Sequence, residues 1–105
     1  MTDATSALLR AVNFMNFEAL TVETIRSRSW ASATFCGVRH EIGFRLEGEG
    51  AERAADAFLD GIEEREFDLR GHVLADIALV SRSTANGPDG PVVRIRLEAL
   101  TMEAG

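Results

Sequence analysis

The clearest structural signal in the chain is the stretch Ser29–Glu47, SWASATFCGVRHEIGFRLE. Ala31, Ala33 and Phe35 alternate with Trp30, Ser32, Thr34 and Cys36, and after them Ile42, Phe44 and Leu46 alternate with Glu41, Gly43, Arg45 and Glu47. A period of two is that of an extended chain, whose side chains point to opposite faces in turn. A two-residue turn at Gly37-Val38, with the glycine supplying positive φ, joins the two runs into a hairpin. That turn sets Ala33 against Ile42 and Ala31 against Phe44 on one face. On the other it sets Trp30 against Arg45, Thr34 against Glu41 and Arg28 against Glu47. One face is then apolar and the other charge-complementary, so the register is self-consistent.

After the hairpin, Gly48-Glu49-Gly50 marks a break, and Ala51, Ala54, Ala55, Phe58 and Ile62 follow at the spacing of one helical face. The small residues in that stripe allow a close approach to a sheet. The connector 65–71 supplies Phe67 and Leu69 as core-edge anchors. A second hairpin is expected from His72–Arg82 and Val92–Met102, joined by a Ser83–Pro91 loop that holds Asn-Gly and Asp-Gly, both strong turn formers. Strict alternation places Val73, Ala75, Ile77 and Leu79 against Val93, Ile95, Leu97 and Ala99. His72, Leu74, Asp76, Ala78 and Val80 then share the second face with Arg94, Arg96, Glu98 and Leu100.

Before the first hairpin, Asp3 or Thr5 can cap a helix in which Leu8, Leu9, Val12 and Met15 recur, with Asn13 or Asn16 to stop it. From Ala19 the β-branched Thr21, Val22, Thr24 and Ile25 favour an extended chain, with a longer helix as the alternative. The order α-β-β-α-β-β is that of an α+β fold. A two-layer sandwich is expected, with an antiparallel sheet of four or five strands and two helices on one face. The 105 residues make one domain, 1–105.

Composition narrows the function. The chain is 46% hydrophobic and 27% charged with a net charge of −6, an ordinary globular balance. The single cysteine, Cys36, permits no internal disulfide, which excludes a secreted disulfide scaffold. No apolar run is long enough for a membrane span and the first residues do not resemble a signal peptide, so the cytoplasm is expected. All eleven basic residues are arginine. A total lack of lysine reads as the codon bias of a GC-rich bacterial genome, not as phosphate recognition. Nine acids crowd residues 47–68 against Arg53 and Arg65, making one acidic flank beside a nearly neutral remainder.

No constellation reaches the level of a reaction. Cys36 would be the nucleophile and His40 or His72 the base, yet the hairpin register sends Cys36 and His40 to opposite faces. Glu41, His72 and Asp76 are too few for a closed zinc site, and no glycine pattern cradles a phosphate. No catalytic residue, metal or cofactor is therefore expected. The arginines of the second face are offset by Glu41, Glu47, Asp76 and Glu98, and nucleic acid is not expected either.

The second sheet face itself is the candidate surface. It mixes charge with Trp30, Leu74, Ala78, Val80 and Leu100, where a solvated face would be polar. Trp30, Arg45, Leu74, Val80, Arg96 and Leu100 are the expected interface residues of a self-associating protein, with a two-fold dimer the simplest solution. Residues 17–28 folding over that face would be its internal cover. A second possibility is a small-molecule pocket, or a modest enzyme, between sheet and helices near Trp30, His40 or His72. The closing stretch, Pro88-Asp89-Gly90 through Arg94, Arg96 and Ala99-Leu100-Thr101, resembles the ends of phage tail-terminator-like proteins. That resemblance implies a small α+β ring former and assigns no residue a role.

Overall fold

A computed structural model describes residues 4–13, 20–64, 69 and 71–103. The elements are α1 (Ala4–Asn13), β1 (Leu20–Ala31), β2 (Cys36–Glu47), α2 (Ala51–Leu59), β3 (His72–Gly87) and β4 (Gly90–Glu103). The four strands form one antiparallel sheet in the order β1-β2-β4-β3, so the chain is α+β with the expected element order. The long axis is 49 Å against 24 and 21 Å. A strand the length of β3 at about 3.3 Å per residue reaches that far.

Both helices serve the same face. Alternate residues of the two central strands point to it: Ile42, Phe44 and Leu46 from β2, and Val93, Ile95, Leu97 and Ala99 from β4, all buried. Onto these pack Leu8 of α1, Ala51, Ala55 and Phe58 of α2, and Ile62 just beyond it. Phe44 and Phe58 meet edge to face with ring centroids 5.4 Å apart, the geometry their quadrupoles favour. Leu69 is buried as expected. Phe67, Asp3, Met15, Asn16 and residues 17–19 lie outside the described residues.

The first hairpin forms between other residues than the alternation suggests. Trp30 pairs with Gly37, Ile25 with Ile42 and Val22 with Phe44, and the turn is Ser32–Phe35. Ser32 makes this turn: its Oγ accepts from the Thr34 and Phe35 amides at 3.4 and 3.1 Å, while its own N–H donates to the Phe35 carbonyl at 2.8 Å. Gly37 is not a turn glycine, and its φ is not among the positive ones. It is glycine because the Trp30 indole lies across it, where a Cβ would come within 2.6 Å of Nε1 and would also collide with the Thr101 carbonyl oxygen. Consequently Trp30 does not face Arg45, Arg28 faces Arg39 and not Glu47, and Glu41 faces Arg26 and not Thr34. Cys36 and His40 stand four apart on β2 and so share a face, against the expectation that the register separates them; Cys36 is exposed at the strand's start and His40 is buried.

The second hairpin turns tightly. Gly87 pairs with Gly90 around Pro88-Asp89, so Ser83–Asn86 are strand where a loop was expected. Their polar character is that of an edge strand and not of a turn; they are exposed along their whole length. Two bulges break the alternation of β3, at Ala75 and Val80. The first moves Leu74 to the core side, opposite Thr101, and Val73 to the other side, opposite Met102. It also separates His72 from Asp76, which the metal reading had placed on one face. The second restores the original parity, so that Arg82 faces α2. There Nη1 donates to Asp56 Oδ1 at 2.6 Å and Nη2 to the Glu52 carbonyl at 3.2 Å.

Candidate functional site

The sheet face away from the helices can be read row by row from the registers. Trp30, Gly37, Met102 and Val73 form the first row, and Arg28, Arg39, Leu100 and Asp76 the second. Arg26, Glu41, Glu98 and Ala78 follow, then Thr24, Gly43, Arg96 and Ser81, then Thr21, Arg45, Arg94 and Ser83. One end is thus apolar and the rest is charged. Residues 20–28 do not cover this face; they extend it as the edge strand β1.

Of the expected interface residues, Trp30, Arg45, Arg96 and Leu100 share this face, which no described element covers. Leu74 packs against the core instead. Val80 sits in a bulge of the edge strand and is 55% exposed. Exposed residues that strict alternation had not placed on the outside are Val73, turned outward by the Ala75 bulge, and Phe35, carried by the Ser32 turn.

Charge on the face is organised around β2 and β4. Arg39 meets Glu98 at 3.0 Å, and Glu23 bridges Arg94 at 3.1 Å and Arg45 at 3.8 Å, with Glu47 on Arg45 at 3.4 Å. Glu23 reaches both arginines because it is the bulged residue of β1. Arg26, Arg28 and Arg96 make no ion pair among the described residues. Arg26, Ser27, Arg28, Arg39 and Glu41 line an open depression of about 390 Å³ at the β1 edge. The Trp30 Nε1 is shielded from solvent and meets no acceptor among the described residues.

His40 has a different environment. It is fully buried, its Nε2 3.0 Å from Thr101 Oγ1, and its Nδ1 3.1 Å from Ser27 Oγ and 3.4 Å from Thr5 Oγ1. The Thr101 hydroxyl donates to the Val38 carbonyl at 3.3 Å, so toward His40 it can only accept. The Nε2 therefore carries the proton, and Nδ1 accepts in the neutral ring. A serine beside a histidine is the first half of a nucleophile–base pair. Here the hydroxyls of Thr5, Ser27 and Thr101 around the buried ring suit a polar bolt between α1 and the sheet. Thr101→Val should remove the acceptor of a buried N–H and cost about 1–3 kcal/mol, read as a lower urea midpoint with an unchanged slope. Among the described residues no group of three or more His, Cys, Asp or Glu is placed to hold a metal ion. No described helix is long and apolar enough to cross a membrane.

No family model matches the sequence, and no curated protein matches it. Among solved structures the fold is similar to a chain of the virion of a native gene transfer agent (GTA) particle. The TM-score is 0.65 at 13% identity, over 79% of this chain and 67% of that one. At that identity the likeness is one of fold alone.

Proposed function

We propose that the chain is a structural subunit of a virion-type particle, self-associating into a ring of the tail-terminator-like kind that its closing hairpin resembles. The observation that carries the reading is a sheet face, apolar at one end and covered by no described element, in a fold similar to that of a virion chain. A surface that joins an apolar end, Trp30, Met102, Val73 and Leu100, to a field of arginine and glutamate mixes the two characters that protein interfaces combine. The role needs no cofactor and no catalytic group. A subunit of this kind is made in the cytoplasm and leaves with the particle.

A second reading, a two-fold dimer through the same face, is favoured by the apolar row at one end, which could meet its own copy. Light scattering on the purified chain separates the two. A hexameric mass, the signature of the tail-terminator-like ring, is expected; a dimeric mass supports the second reading, and a monomer at high concentration removes both.

A further inference from the structure

We infer that Arg26, Arg28 and Arg39 form a socket for the acidic flank of a second copy of this chain, in a head-to-tail contact. The inference rests on the ring reading and specifies its interface.

The socket begins with an unfavourable arrangement inside one chain. Arg28 and Arg39 are directly opposite each other across the β1–β2 ladder and on the same face, where like charges repel. Arg26 lies two residues along on that face. Only Arg39 of the three has an ion partner among the described residues, Glu98, and that pair is exposed. Glu41, opposite Arg26 in the same depression, and Glu98 set two carboxylates against the three guanidiniums, which leaves the cluster with excess positive charge. A further carboxylate would relieve the repulsion, and guanidinium groups bind carboxylates in a bidentate fork. The open depression beside them lies on the free edge strand, where another chain can reach it.

The complementary surface is on the other side of the same molecule. Glu49, Glu52, Asp56, Asp60, Glu63 and Glu64 are all exposed on α2 and its flanking turns, with Arg53 the single base among them. Asp56 is taken by Arg82. Glu49, Glu52, Glu63 and Glu64 make no ion pair among the described residues. The socket is on the bare face and α2 on the helix face, so one copy cannot bring the two together, nor can a two-fold pair satisfy both at once. The contact must repeat from copy to copy, which generates a closed ring or an open filament.

The test uses charge reversal on the full chain. Arg26→Glu with Arg28→Glu should weaken self-association by about tenfold or more, and Glu52→Arg with Glu63→Arg and Glu64→Arg should do the same. Mixing the two variants should restore the wild-type mass, because each interface of an alternating assembly is again complementary. Arg28→Glu alone faces Arg39 with a carboxylate, so its melting temperature should equal or exceed that of the wild type while its assembly weakens. A merely misfolded variant would show the opposite. An assembled wild type that ignores both reversals overturns this contact and leaves the ring reading standing, whereas a monomeric wild type removes both. Loss of binding to a short labelled DNA duplex in the arginine variant, with the oligomer mass unchanged, would also overturn it and assign the group to phosphate.

Discussion

Replacing Phe44 by alanine is expected to cost about 3–5 kcal/mol, enough to leave a domain of this size barely folded at room temperature. Phe44 is fully buried in the middle of the central strand β2, and its ring meets edge to face that of Phe58, the largest buried side chain that α2 contributes. On either side stand Ile42 and Leu46, and Ile95 is its cross-strand partner on β4. The hole would therefore open where both layers meet and where neither the sheet ladder nor α2 can collapse without breaking other contacts. Phe58→Ala should cost nearly as much. The double variant should cost less than the two singles together, because the first truncation already forfeits their mutual contact. Chemical unfolding of the three proteins measures this directly. Additive losses would mean that the two rings do not meet.

Gly37→Ala should be the next most damaging change, at about 3 kcal/mol, or roughly 10–20 °C in melting temperature. The new methyl has nowhere to go. It meets the Thr101 backbone carbonyl of β4 and comes within 2.6 Å of the Trp30 Nε1, and backbone in a central ladder yields little. Gly37→Ala combined with Trp30→Ala should recover the indole's part of the penalty and keep the carbonyl's. That coupling separates the observed register from a hairpin turning at Gly37-Val38. A turn glycine would also resent alanine, but its cost would be independent of Trp30.

The core was largely legible in the sequence. Ile42, Phe44, Leu46, Val93, Ile95, Leu97 and Ala99 alternate cleanly and are all buried, and the Ala51–Ile62 stripe faces them, because central strands and a covering helix are held to strict periods. The edge strands were not legible in the same way. β3 carries bulges at Ala75 and Val80, and β1 one at Glu23, each of which moves the following residues to the other face. An extra residue leaves no mark in composition. The Leu74 misplacement follows from that alone.

The turn of the first hairpin was missed for a different reason. Glycine serves both positive φ and close approach, and at Gly37 the second use prevails over the first. The true turn is held by a serine hydroxyl at Ser32, a weaker local signal than glycine. Of the candidate surface, Trp30, Arg45, Arg96 and Leu100 were identifiable because their face depends only on strand parity. The confrontation of Arg28 with Arg39 was not, because it depends on a register that the sequence left pointing elsewhere.

Whether the sheet face away from the helices joins copies of the chain is read from the mass in solution. Multi-angle light scattering on the purified full chain, in low salt and over a wide concentration range, tests it most directly. A hexameric mass that holds as the protein is diluted and gives way when salt is raised is the expected result. A monomer at every concentration would contradict it.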